Sequence, residues 1–165
     1  MSDLPSLLSS ELLNKNVTHK LGKIYFEITS YYNLKDSFSG ITRVVSKLIQ
    51  NFNLYTNEVT FVVFDNNLKK FLQLDRTTQN FKTSSVSFVD NSTFLSFCST
   101  WEYENYEFGL NEITQNCAKV IYFIHDVIPY KLPHSFGPGL TEKYNKWLAL
   151  ILKSGTQFLT NSELS

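Results

Sequence analysis

His125 and Asp126 stand side by side after the apolar run KVIYFI, a pairing with the side chains of a proton-handling or sugar-binding site. An imidazole at the end of a buried strand can hydrogen-bond a sugar hydroxyl or shift a proton near neutral pH, and it serves equally as an anchor for its own loop. Gly40 precedes ITRVV and opens a helix, where a backbone without Cβ lets a phosphate or sugar approach the positive helix end; a tight loop alone would also explain it. Trp101 offers an indole face for stacking on a sugar ring or for packing. Asn161 and Ser162 end the last strand with polar groups. Glu27 lies within the first strand; catalysis is one use for it, and an ion pair with Arg43 on the following helix is the expected one, because a half-buried charge needs a partner. Cys98 is followed by Ser99 rather than a base and reads as core. His19, His125 and His134 lack paired spacing, so no metal site is expected. Neither GxGxxG nor GxxxxGK[ST] occurs, which removes the main support for a nicotinamide cofactor or a P-loop nucleotide; no cofactor is expected.

These residues need a scaffold, and the hydrophobic periodicity supplies one. KIYFEIT (23–29) alternates as a strand, with Ile24, Phe26 and Ile28 on one face and Tyr25, Glu27 and Thr29 on the other. Ile41, Val44, Val45, Leu48, Ile49 and Phe52 recur at steps of three and four, which predicts an amphipathic helix. EVTFVVFD (58–65) reads as a second strand and KKFLQLD (69–75) as its hairpin return across Asn66–Asn67, with a polar loop over 75–85. Further strands are expected at 93–98, 119–125 and 156–160, and helices over 103–117 and 140–152. The order β-α-β-β-β-α-β-α-β predicts an α/β, Rossmann-like, doubly wound and mostly parallel sheet with helices on both faces. In such a sheet ligands bind beyond the carboxyl ends of the strands. That geometry singles out 30–40, 99–101, His125–Asp126 and 161–162, and predicts a concave patch lined by Gly40, Trp101, His125 and residues near Asn161.

The chain has 165 residues, 42% of them hydrophobic, enough for one domain with a real core. Its 15 basic and 15 acidic side chains cancel, which argues against a nucleic-acid partner needing a basic face. No stretch reaches the roughly 18–20 apolar residues of a membrane span. Two cysteines are too few for a disulfide scaffold. Residues 1–20 read as a polar leader without a signal-peptide pattern, in which Ser9 or Ser10 would cap a short helix; residues 21–165 form the domain, with a cytoplasmic location expected.

Taken in order, four segments resemble the N-terminal domain of GT-B glycosyltransferases, in the large retaining family that includes bacterial mannosyl- and rhamnosyltransferases of surface polysaccharides. They are IYFEITSYY with SGITRVV, then DNSTFLSFCSTW, then VIYFIHDVIPYKLPHSFGPGLTEKYNKWL, and finally FLTNSELS. The HD-x-x-P motif, the trailing proline and the glycine-led aromatic helix carry most of it. The resemblance covers roughly 22–165. It implies one half of a two-domain enzyme that moves a sugar from a nucleotide-sugar donor to a glycan or lipid-linked acceptor, with peripheral membrane association. It further implies that His125 lines the cleft near the transferred sugar, that Gly40 faces the donor phosphates and that Asp126 fixes the loop. The family's donor-binding domain, with its basic pair and E-x7-E motif, has no counterpart in these 165 residues. Activity is therefore expected to need a second domain or chain. A non-catalytic scaffold subunit or an inactive gene fragment are the alternatives.

Overall fold

The computed structural model describes residues 22–33, 39–55, 59–74, 81–137 and 139–161. The expected leader, its Ser9 or Ser10 cap, His19 and Ser162 lie outside the described residues.

Strand β1 (Ile24–Glu27) is followed by a one-turn helix α1 (Thr29–Asn33) and the long helix α2 (Gly40–Tyr55). Then come β2 (Val59–Asp65), β3 (Lys70–Leu74), β4 (Phe81–Ser85) and β5 (Ser92–Ser96). Helix α3 (Tyr106–Asn116) leads into β6 (Cys117–Ile124). A short helix α4 (Ile128–Lys131), a 3-10 turn (Pro133–Ser135), helix α5 (Leu140–Ser154) and β7 (Gln157–Thr160) complete the described elements. The strands form one sheet in the order β4-β3-β2-β1-β5-β6-β7. β1 pairs in parallel with β2 and β5, and the parallel run continues through β6 to β7. The β2–β3 hairpin is antiparallel, as expected, and Asp65 Oδ1 shapes its turn by accepting the Asn67 and Leu68 N–H groups, each at 2.9 Å.

Four described elements lie outside the expected order: α1, β4, and the short α4 and 3-10 turn in the stretch DVIPYKLPHSFGPG, which reads as a loop. Residues 81–85 fall in the stretch read as polar loop but pair antiparallel with β3 as the edge strand β4. Thr29, read as the end of β1, instead starts α1. An edge strand needs only one backbone partner, and FKTSS carries little periodic signal in its sequence.

The alternation along β1 sorts the core into two layers. Phe26 and Ile28 pack with Phe61, Val63 and Val45 of α2 on one face. Tyr25 packs with Phe64, Phe71, Phe94 and Tyr122, under Tyr106 and Ile113 of α3 and Trp147 and Ile151 of α5, on the other. The fold is thus an α/β doubly wound sheet with helices on both faces. Helix α3 comes unusually close to the aromatic layer at Gly109, where a Cβ would lie 2.6 Å from Phe71 Cε2 and 2.9 Å from Phe64 Cε2. Those rings are locked edge to face at 5.3 Å between centroids, so neither can swing away cheaply. Gly109→Ala is expected to cost about 1–2 kcal/mol, overpacking outweighing the gain in helix propensity. An unchanged denaturant midpoint would show that α3 backs off the sheet freely.

Candidate functional site

Counting only the parallel strands, the spatial order runs β2-β1-β5-β6-β7. The chain leaves β1 for one side of the sheet through α2 and builds the other side through α3 and α5. The winding reverses between β1 and β5, and a crevice opens there at the carboxyl edge. A cavity of about 490 Å3 occupies this point.

Each wall is the continuation of one element. Ser30, just past β1, donates its hydroxyl to the Ser99 carbonyl past β5 at 2.9 Å, tying the two lips together. Ser39 caps α2 by accepting the Thr42 N–H at 3.1 Å, while Thr42 Oγ1 accepts the Ser39 N–H at 3.1 Å. Ser39, Ile41 and Thr42 line the cavity, so the positive end of a 16-residue helix faces it.

His125 follows β6 and is half-buried. Its Nε2 lies 2.8 Å from the Phe97 carbonyl, an atom that can only accept. Nε2 therefore carries the proton, and Nδ1 is left as the ring's acceptor when the imidazole is neutral. The ring also rests against Phe123, with centroids 4.8 Å apart. Asp126 accepts the Ile128 N–H through Oδ1 at 3.1 Å and so shapes the start of α4. Its own carbonyl accepts the Tyr144 hydroxyl at 2.6 Å. Burial, reinforced by the Asp126 carboxylate, pushes the Tyr144 phenol up to about 12, so it stays a donor at neutral pH. Opposite, Trp147 donates Nε1–H to Thr100 Oγ1 at 3.0 Å, fixing the segment that carries Trp101. The left-handed backbone at Gly139, with φ of 84°, turns the chain into α5 after the 3-10 turn Pro133–Ser135, and α5 delivers both Tyr144 and Trp147.

Below the lips sits Glu27, wholly buried at the end of β1. It is not paired with Arg43, contrary to expectation. Glu27 shares the Tyr25 face of the sheet, whereas α2 covers the Phe26 face and Arg43 is exposed on its outer side. Its carboxylate accepts the Thr29 hydroxyl at 2.7 Å and the Tyr106 hydroxyl at 2.6 Å. Burial, only partly offset by hydroxyl donors from Ser96, Tyr106 and Thr29, raises its carboxyl above the ordinary range. Cys98 is buried, as read, and donates Sγ–H to the Glu27 carbonyl at 3.4 Å.

Of the residues singled out, the structure brings Trp101, His125 and Asp126 together in the cavity wall. Gly40 starts α2 at the same edge but lines the neighbouring groove with Tyr31 and Arg43, because Ser39 and Thr42 take the inward side of that turn. A Cβ on Gly40 would meet nothing within 4 Å. Asn161 is exposed past β7, with β5 and β6 between it and β1, and is not part of the wall. Tyr144 and Trp147 were legible only as apolar positions of a helical stripe. Their polar tips, three residues apart on the helix after the His-Asp loop, were the available signal.

Fold and site together define an α/β doubly wound protein with a hydroxyl-rich, indole-walled cleft at its topological switch point. No family model, curated protein or solved structure gives a significant match to this chain. Among the described residues, no helix is long and apolar enough to cross a membrane, and no three His, Cys, Asp or Glu side chains cluster as a metal site would require.

Proposed function

We propose that this chain is the acceptor-side domain of a retaining, metal-independent glycosyltransferase of the GT-B type. In this reading it takes a glycan or lipid-linked acceptor and meets a nucleotide-sugar held by a second domain or chain. One observation carries the proposal. Three of the four segments that resemble that family converge on a single cleft whose described lining supplies hydroxyls, two indoles, an imidazole and carboxylates but no Lys or Arg. Such a surface suits an uncharged sugar, with hydroxyls to hydrogen-bond and a ring face to stack. To a diphosphate leaving group, which needs cationic stabilisation as its charge develops, it offers only the N-terminus of α2 and no cationic side chain. The donor side must therefore bring those cations.

The test is reconstitution. The purified 165-residue chain is expected to release no nucleotide above background from GDP-mannose, UDP-glucose or dTDP-rhamnose. Fused to or mixed with a donor-binding domain, it is expected to support transfer to a glycan acceptor. Robust turnover by the chain alone would overturn the proposal, as would a donor partner whose activity is indifferent to its presence.

A further inference from the structure

Trp101 and Trp147 line two cavities at once: the cleft beside His125, and a groove of about 600 Å3 between α3 and α5. The groove starts at Tyr103 and follows α5 from Lys143 to Lys153, eleven residues spanning about 15 Å of helix. That length exceeds what a single sugar needs. Its floor is aromatic, with the half-buried Trp101 and Tyr103 presenting ring surface. Asn33 donates a side-chain amide hydrogen bond to the Tyr103 hydroxyl, which holds that ring in place. The rims carry both signs of charge: Glu104 just before α3 and Glu107 in its first turn, and Lys143, Lys146 and Lys153 along α5. Lys143 and Glu104 are 3.9 Å apart, and Lys146 pairs with Glu142 at 2.8 Å, so the rims are largely self-neutralised. A polyanion would meet the two glutamates, and an apolar chain would strand the polar rims. Acceptors on one rim and donors on the other, over an aromatic floor, match a string of sugar hydroxyls and ring faces.

We propose that the α3–α5 groove is a distal subsite continuous with the cleft across Trp101, holding the inner units of a linear oligosaccharide whose end sits at His125. This rests on the acceptor reading above and extends it: the acceptor is an oligosaccharide rather than a monosaccharide. Trp101 and Trp147 are the chain's only tryptophans, so intrinsic fluorescence reports on both cavities. The experiment titrates the 165-residue chain with linear mannose, glucose and N-acetylglucosamine oligomers of increasing length. In one series, affinity is expected to rise about tenfold or more from disaccharide to tetrasaccharide. Glu107→Gln combined with Lys153→Ala is expected to reduce that ratio severalfold, and Trp101→Ala to weaken binding at every length. Binding without length dependence, or a length dependence that the groove variant leaves untouched, would overturn the subsite and leave the acceptor reading standing. No response to any oligomer would remove both.

Discussion

In the reconstituted enzyme, His125→Ala is expected to reduce sugar transfer by about a hundredfold to a thousandfold, the effect of losing one hydrogen bond that strengthens in the transition state. The geometry around the ring supplies the reason. His125 Nε2–H is committed to the Phe97 carbonyl, and Phe123 supports the ring, so its orientation is set before any ligand arrives. Nδ1 remains to accept from a hydroxyl of the transferred sugar. As positive charge develops on that sugar, its hydroxyls become better donors, so the bond gains strength where it lowers the barrier. The same Phe97 bond gives the ring an anchoring role, and its loss should cost about 1 kcal/mol and a few degrees of melting temperature. His125→Gln separates the two roles, because an amide can still donate to the carbonyl but is a poorer match to the sugar. Turnover per folded molecule and melting temperature, measured on both variants, decide between them. A destabilised His125→Ala protein with normal turnover per folded molecule would reduce His125 to an anchor.

Much of this scaffold was legible because its core strands are apolar and its main helices amphipathic. The runs around β1, β2 and β6 and the stripes of α2 and α5 each state their own period. The sequence order of elements then places the switch point and, with it, the loops that carry Trp101, His125 and Asp126. What periodicity misses is anything defined by a partner in space. The edge strand β4, FKTSS, shows no hydrophobic alternation in its sequence. Gly40 opens α2 as expected, but which side of a helix's first turn faces a cleft depends on the rotation of that helix against the sheet. Asn161 ends a strand at the correct edge, yet strand order puts it two strands from β5, well away from the crevice. Glu27 is the most instructive case. Its face of β1 was readable from the alternation with Phe26 and Ile28, while its partner depended on which helix covers that face. The nearest long helix in sequence, α2, covers the other one.

That placement makes Glu27 the second residue with a large expected effect. Glu27→Ala should destabilise the domain by about 2–4 kcal/mol, because it opens a cavity and strands the buried Thr29 and Tyr106 hydroxyls that now donate to the carboxylate. Thr29 accepts nothing from this carboxylate but in turn receives the Phe64 N–H at 3.0 Å, so the loss would spread into β2. Glu27→Gln should behave differently. The amide fills the same space, and the Thr29 and Tyr106 hydroxyls can rotate to accept from its NH2 group. It also cannot ionise, which removes the burial penalty that raises the native carboxyl. The sign follows by linkage. The folded state binds this proton more tightly than the unfolded chain, whose carboxyl titrates near 4.5. Stability from that proton is full below the unfolded value and is lost as pH rises towards and through the folded one. The melting temperature of the wild type relative to Glu27→Gln should therefore fall between about pH 4.5 and the raised native value, and the comparison cancels contributions from other carboxylates, such as Glu112, which burial also raises. A difference that stays flat across pH 4.5–8 would mean that the carboxyl is not desolvated as its burial implies. The tryptophan emission connects this to the site. Trp147 is tied to Thr100 above Tyr106, so if Glu27 holds the floor of the cleft, Glu27→Ala should shift the emission and Glu27→Gln should leave it in place.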